Sequence, residues 1–125
     1  MPEEYLALVT AMKSLTQESA VTSEPDKGLP VAEDGWHTRP DKDSYGEIYL
    51  EFENNESLNG NNRKKNRVYE GSIDLYSRKR NGEGWPALIE QTLTEYCDDW
   101  WRLEYHGHET GTNLFHWEWV FNIEE

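Results

Sequence analysis

Apolar residues recur along this chain with two different periods. Tyr5, Leu8, Val9, Met12 and Leu15 fall three or four apart, which is one face of a helix. Pro2 suits a first helical turn, where its missing N–H leaves no bond unmade, and Glu3 and Glu4 suit the positive end of the helix. A first helix is expected over about residues 3–18. A polar stretch follows from Ser19 to about Ser44, punctuated by Pro25, Gly28, Pro30, Gly35 and Pro40. A loop that long is unusual in a compact domain, so it either serves a function or hides a short strand. Trp36 is its large anchor, and a short strand or a docked indole is expected there.

The period then changes to two. Ile48, Leu50 and Phe52 alternate with Glu47, Tyr49, Glu51 and Glu53, a half-buried strand with an acidic outer face. An Asn-rich loop from Asn54 to Asn66 leads to a second strand, expected to run antiparallel to the first. In it Tyr69, Ile73 and Leu75 oppose Glu70, Ser72, Asp74 and Tyr76. Gly71, on the apolar side, marks either a bulge or the close approach of another chain or helix. Asn81-Gly82-Glu83-Gly84 breaks the pattern. Trp85, Leu88, Ile89, Thr92, Leu93 and Tyr96 then form a helical stripe, with Pro86 in the first turn, so a second helix is expected over about 85–98.

The chain closes in a hairpin. Trp101, Leu103 and Tyr105 alternate with Trp100, Arg102, Glu104 and His106, and a turn is expected over Gly107–Thr112. Phe115, Trp117, Trp119, Phe121 and Ile123 then share one face, which makes the last strand a central core strand. The order is α–β–β–α–β–β. It predicts an α+β fold: a two-layer sandwich of a mainly antiparallel four-stranded sheet with two helices packed on one face. One domain spans residues 1–125, with a long loop at about 19–44 and no internal repeat.

Composition narrows the function classes. Only 35% of the residues are hydrophobic but 13% are aromatic, so Trp, Tyr and Phe must supply much of the core. No apolar run approaches the ~18 residues of a membrane span. Met1-Pro2-Glu3-Glu4 lacks the basic-then-apolar start of a signal peptide, and an intracellular chain, or part of an assembly built inside a cell, is expected. The single cysteine, Cys97, excludes an intramolecular disulfide framework and a cysteine-based zinc site. A net charge of −13 argues against a protein that binds nucleic acid by covering phosphates.

That charge is uneven. From Arg63 to Arg80 there are seven bases (Arg63, Lys64, Lys65, Arg67, Arg78, Lys79, Arg80) against Glu70 and Asp74, a local +5 that leaves −18 on the rest. The split is either a solvated, solubilising surface or a pair of complementary patches that dock onto another copy or partner.

Candidate chemistry is sparse. His106, His108 and His116 lie near Glu104, Glu109 and Glu118, but no helical HExxH or cysteine pair accompanies them, and turn histidines are commonly just solvated. No metal ligand is assigned. Asp98-Asp99, or Glu51 with Glu118, would be the carboxylate pair of a hydrolase. They fit better as a helix–strand connection and as solvent-facing strand positions. Cys97 ends the second helical stripe as a small core residue, and there is no Gly-rich phosphate loop. No catalytic residue, cofactor or enzymatic activity is expected. Trp100-Trp101 places adjacent rings on opposite sheet faces, so one is either covered by the 19–44 loop or anchors a subunit interface.

Three strings carry a resemblance. They are Arg39-Pro40-Asp41-Lys42-Asp43-Ser44-Tyr45-Gly46 leading into Ile48-Tyr49-Leu50-Glu51-Phe52; Tyr69-Glu70-Gly71-Ser72-Ile73-Asp74-Leu75-Tyr76-Ser77; and Glu109-Thr110-Gly111 before Leu114-Phe115-His116-Trp117-Glu118-Trp119-Val120-Phe121. With the element order, they make residues 36–124 resemble the small tail terminator (tail completion, or minor capsid) proteins of long-tailed phages and prophages. The first helix matches only by type.

The resemblance implies a non-enzymatic virion component of the head–tail joint, present in the host cytoplasm during assembly. In that family α+β subunits form a homo-hexameric ring, which can assemble on the tail tip from monomers. The ring caps the tube of major tail protein, meets the head connector and lets DNA pass; it carries no cofactor and no membrane contact. On this expectation Arg63, Lys64, Lys65, Arg67, Arg78, Lys79, Arg80 and Trp100 are candidates for the subunit interface. Glu47, Glu51, Glu53, Glu104 and Glu118 are candidates for a DNA-repelling channel wall. The competing expectation is a small acidic inhibitor or DNA mimic, such as an anti-restriction protein, that binds a basic host enzyme.

Overall fold

The computed structural model describes residues 3–17, 28–54 (51–54 by backbone alone) and 68–124. Helix α1 (Glu3–Lys13) is followed by strands β1 (Val31–Glu33), β2 (Ser44–Asn54) and β3 (Val68–Ser77). A short left-handed corner at Gly82–Gly84 opens helix α2 (Trp85–Cys97), and β4 (Trp101–Glu109) and β5 (Leu114–Glu124) complete the chain. The fold is α+β, as the pattern predicts. Its sheet, however, has five strands among the described residues, in the order β1-β2-β3-β5-β4, and it is mixed rather than antiparallel.

The extra strand is the correction to the expected four. β1 lies inside the stretch read as loop and pairs in parallel with β2, Val31 opposite Gly46 and Glu33 opposite Ile48. Three residues carry no readable period, so only the pairing makes them a strand. Trp36 is the docked indole of the two alternatives, its Nε1 donating to the Gly46 carbonyl at 2.9 Å. The first helix also stops earlier than expected. After Lys13 the backbone turns, and the Leu15 carbonyl accepts from Leu29 N–H at 3.1 Å instead of continuing the helix. Leu15 nevertheless packs against the core.

Both helices cover one face of the sheet. Tyr5, Leu8, Val9 and Met12 of α1 and Ile89, Leu93 and Cys97 of α2 share one cluster with Ile48, Ile73, Leu75, Trp117, Trp119, Phe121 and Ile123. Trp119 is fully buried, and its indole N–H donates to Glu90 of α2 at 2.9 Å. Burying rings of this size adds large apolar areas to a cluster whose other members are mostly aliphatic.

Two irregularities break the simple alternation. A register shift in β2 between Leu50 and Phe52 lies beside Gly71, which pairs with Leu50. Of the alternatives expected at Gly71 the bulge is therefore observed, and a Cβ there would run into the Tyr49 carbonyl oxygen and the Phe121 ring. A second shift in β4, between Leu103 and Tyr105, reverses the faces beyond it. Leu103 pairs with Trp119, but Tyr105 pairs with Glu118 on the side away from the helices. The expected grouping of Tyr105 with Trp101 and Leu103 is thereby overturned, and β4 continues through Gly107 and His108 to Glu109 where a turn was expected.

The corner before α2 is tied from several directions. Glu83 adopts a left-handed φ of 56° and is held by three bonds. Its N–H donates to Asn81 Oδ1 at 2.9 Å, its carbonyl accepts from Gln17 Nε2 at 2.7 Å, and its carboxylate accepts from Ser44 Oγ at 2.6 Å. Ser44 Oγ is also 2.8 Å from Ser77 Oγ, so this one carboxylate fixes the ends of β2 and β3 against the start of α2.

Candidate functional site

The face of the sheet without helices carries the densest polar arrangement. Register places Tyr45, Tyr76 and His116 side by side on β2, β3 and β5, with Gly107 of β4 next in the row. The rings stack: Tyr45 on Tyr76 with centroids 5.3 Å apart, and Tyr76 on His116 at 4.4 Å and 11° between planes. Tyr105 leans across Gly107 to bring its ring within 5.3 Å of His116. A Cβ on Gly107 would collide with the Tyr105 hydroxyl, so the missing side chain is what lets the ladder reach the fourth strand.

The adjacent row is acidic. Glu47, Asp74 and Glu118 are direct neighbours across β2, β3 and β5. Carboxylates opposed at that spacing repel one another, and a cation that offsets them comes from the ring ladder. His116 Nε2 lies 2.7 Å from Asp74 Oδ1, and Nδ1 lies 3.0 Å from Glu109 Oε2. With a carboxylate at each nitrogen, the imidazole donates twice only when protonated. Burial works against the charge, but the hydrogen bond and charge of Asp74, then those of Glu109, outweigh it and raise the His116 pKa above 6.5. Tyr49 donates to Glu47 at 2.7 Å and closes the other end of the row.

This geometry limits the chemistry. Both nitrogens of His116 are engaged, and while protonated the ring presents no lone pair for a base or a metal. Burial is the main cause that holds the Tyr45, Tyr49 and Tyr76 phenols above their ordinary value, which keeps them protonated at neutral pH. Burial, with Asp98 nearby, pushes the Cys97 thiol up to about 12, which removes the thiolate a nucleophile needs. The other histidines point elsewhere. His106 stacks on Trp117 at 4.6 Å and His108 bonds to Asn113 at 3.0 Å, while His116 lies on the opposite face. Among the described residues no group of three or more His, Cys, Asp or Glu is arranged to hold a metal.

The expected site residues separate into groups. Glu47 and Glu118 come together on the open face, joined by Asp74, which the sequence pattern did not single out. Glu104 stands apart at the β4 irregularity, where it accepts from Arg102 Nε at 2.9 Å. The backbones of Glu51 and Glu53 belong to β2, and their side chains lie outside what is described. Arg63, Lys64, Lys65 and Arg67 fall outside the described residues. Arg78, Lys79 and Arg80 form an exposed turn after β3. There Arg78 pairs with Asp43 at 3.3 Å, and the Arg80 guanidinium lies 5.8 Å from the Phe115 ring centre.

Trp100 is 56% exposed, so of the two positions expected for it the covered one is not observed. Tyr96 of α2 and Leu103 and Tyr105 of the edge strand β4 are also large apolar side chains left exposed. Tyr76 was read only as an outward position on its strand, and His116 only as a candidate metal ligand beside His106 and His108. Pairing Ile73 with Trp119 and Leu75 with Trp117 is the signal that brings them together. Compared with models of known protein families and with curated proteins, the chain matches none.

Proposed function

We propose that this chain is a non-enzymatic structural subunit of a phage head–tail joint, a tail terminator that caps the tail tube as a ring and joins it to the head connector. The observation that carries this reading is the division of the surface into an acidic face and an apolar edge. Glu47, Asp74 and Glu118 lie in register on the helix-free face. Trp100, Leu103 and Tyr105 are exposed at the edge strand β4. An edge strand with exposed aromatic residues is a ready surface for a neighbouring subunit. An acidic face turned to the lumen of a ring repels DNA and keeps it from adhering during passage.

The partners on this reading are further copies of the chain, forming a hexamer on the tail, together with the major tail protein and the head connector. DNA meets the ring only in transit. The competing role, an acidic inhibitor that mimics DNA, would also use the carboxylate row, but it leaves the apolar edge without a purpose.

Deletion of the gene from a phage or prophage that carries it tests the reading. Electron microscopy should then show tails of uncontrolled length and heads without tails, both restored by complementation. Normal virions from the deletion strain would refute the role. Purified chain that inhibits a DNA-binding host enzyme while virions stay normal would establish the inhibitor instead.

A further inference from the structure

A groove of about 280 Å³ lies at one end of the sheet, between the C-terminal end of α2 and the ends of β3 and β5. Its walls include Val68, Tyr96, Trp100 and Ile123, and Asp98 and Glu124 contribute carboxylates. Trp100 stands between this groove and a shallower one lined in part by Asp99 and Trp101. An indole face beside carboxylates is the environment a lysine or arginine head group prefers, and apolar walls accommodate its methylene stem. Arg102 lines the shallower groove, but its guanidinium is already given to Glu104.

A matching group sits at the other end of the molecule. The β3–α2 turn exposes Arg78, Lys79 and Arg80 in succession. Lys79 has no ion pair among the described residues, and the acid partners of Arg78, Asp41 and Asp43, are themselves exposed and open to exchange. Helix α2 begins just beyond the basic turn and ends at the groove, so its 13 residues separate the two by about 20 Å. Patches of opposite charge at opposite ends of one subunit cannot satisfy each other within it. They complement each other between subunits, head to tail, which is the heterologous contact that closes into rings.

We propose that the groove beside Trp100 receives a basic side chain from the Arg78-Lys79-Arg80 turn of a second copy of this chain. The inference rests on the ring-forming role proposed above and names the contact that would build the ring. The test uses the purified full chain, so that its outcome is separate from tail length in a deletion strain.

A photo-crosslinking amino acid placed at position 96, which also lines the groove, is activated in a concentrated mixture of isotopically light and heavy chains. The expected product joins position 96 of one copy to the peptide holding residues 78–80 of another. Sedimentation of Trp100→Ala and of Asp98→Lys should show self-association weakened by about tenfold. Mixing Asp98→Lys with the Lys79→Glu, Arg80→Glu variant should restore it, because the reversed charges again oppose. Crosslinks confined to one chain, including any to Arg63–Arg67, would overturn the proposal. So would crosslinks to another surface, the absence of any product, or failure of the charge swap. Normal tail assembly after gene deletion would remove the terminator role while leaving a measured contact between copies intact.

Discussion

Replacing Asp74 with Asn preserves the shape of the side chain and removes one charge from the acidic row, so its effect is set by the protonation of His116. On the acidic side the imidazolium spans Asp74 and Glu109 at 2.7 and 3.0 Å. Loss of a charge-assisted bond of this kind costs about 1.5–3 kcal/mol. The same substitution relieves repulsion with Glu47 and Glu118, each worth about 0.2–1 kcal/mol across neighbouring strands. The net expectation at about pH 5.5 is a loss of about 1–2 kcal/mol.

The sign changes with pH. A histidine whose pKa is raised in the folded state contributes stability that is fully present below 6.5 and lost as pH rises through the folded value. Above that value the neutral ring donates to one carboxylate only, while the repulsion in the acidic row remains. Asp74→Asn should therefore be neutral or stabilising at about pH 9. Urea unfolding followed by tryptophan fluorescence at the two pH values measures both effects, with His116→Gln closing a double-mutant cycle. Equal destabilisation at both pH values would refute the protonated bridge. NMR titration gives an independent check: the His116 pKa should lie above 6.5 in the parent and fall in Asp74→Asn.

Three further outcomes follow from the same structure. Gly71→Ala should lose about 2–3 kcal/mol in thermal or urea unfolding, because the added Cβ meets a backbone carbonyl as well as the Phe121 ring; a loss below about 0.5 kcal/mol would mean that the strands are not so close. Ser44→Ala should cost about 1–2 kcal/mol, since the buried hydroxyl bridges Ser77 and Glu83, and an unchanged urea midpoint would discount that corner. Cys97 is buried and its thiol is raised to about 12, so a disulfide reagent at neutral pH should label it only as fast as the chain opens; a rapid burst without denaturant would contradict its placement.

Much of the core was legible because burial imposes a period. The spacing of Tyr5, Leu8, Val9 and Met12 marks the face of α1 that is buried, and the alternation of Trp117, Trp119, Phe121 and Ile123 marks the buried face of β5. These are local consequences of one helix or strand lying against an apolar layer. A short strand within the long polar stretch was one of the alternatives, but the place of β1 escaped because its three residues become a strand only through parallel pairing with a segment more than ten residues away. The β2 irregularity was signalled by Gly71 opposite it, but the one in β4 escaped for a related reason. An extra residue in β2 or β4 has meaning only against the strand opposite, and the period on one strand does not report its partner's register.

The same distinction explains why the open face was read only in part. Glu47 and Glu118 were visible as outward acids on separate strands. What makes them a row is Asp74 between them, and what makes the row tolerable is His116 one step along, clamped between Asp74 and Glu109. Each residue alone looks like an ordinary solvent-facing strand position. Stacking His116 on Tyr76 at 4.4 Å buries the imidazole beside the acids it neutralises, so the rings of the ladder hold a cation that helps the carboxylates stand together. An acidic face built this way is part of the folded framework. Charge-reversal at Glu47 or Glu118 thus probes the surface, whereas substitution at Asp74 or His116 probes the framework beneath it, and tests of the proposed channel wall belong at the former pair.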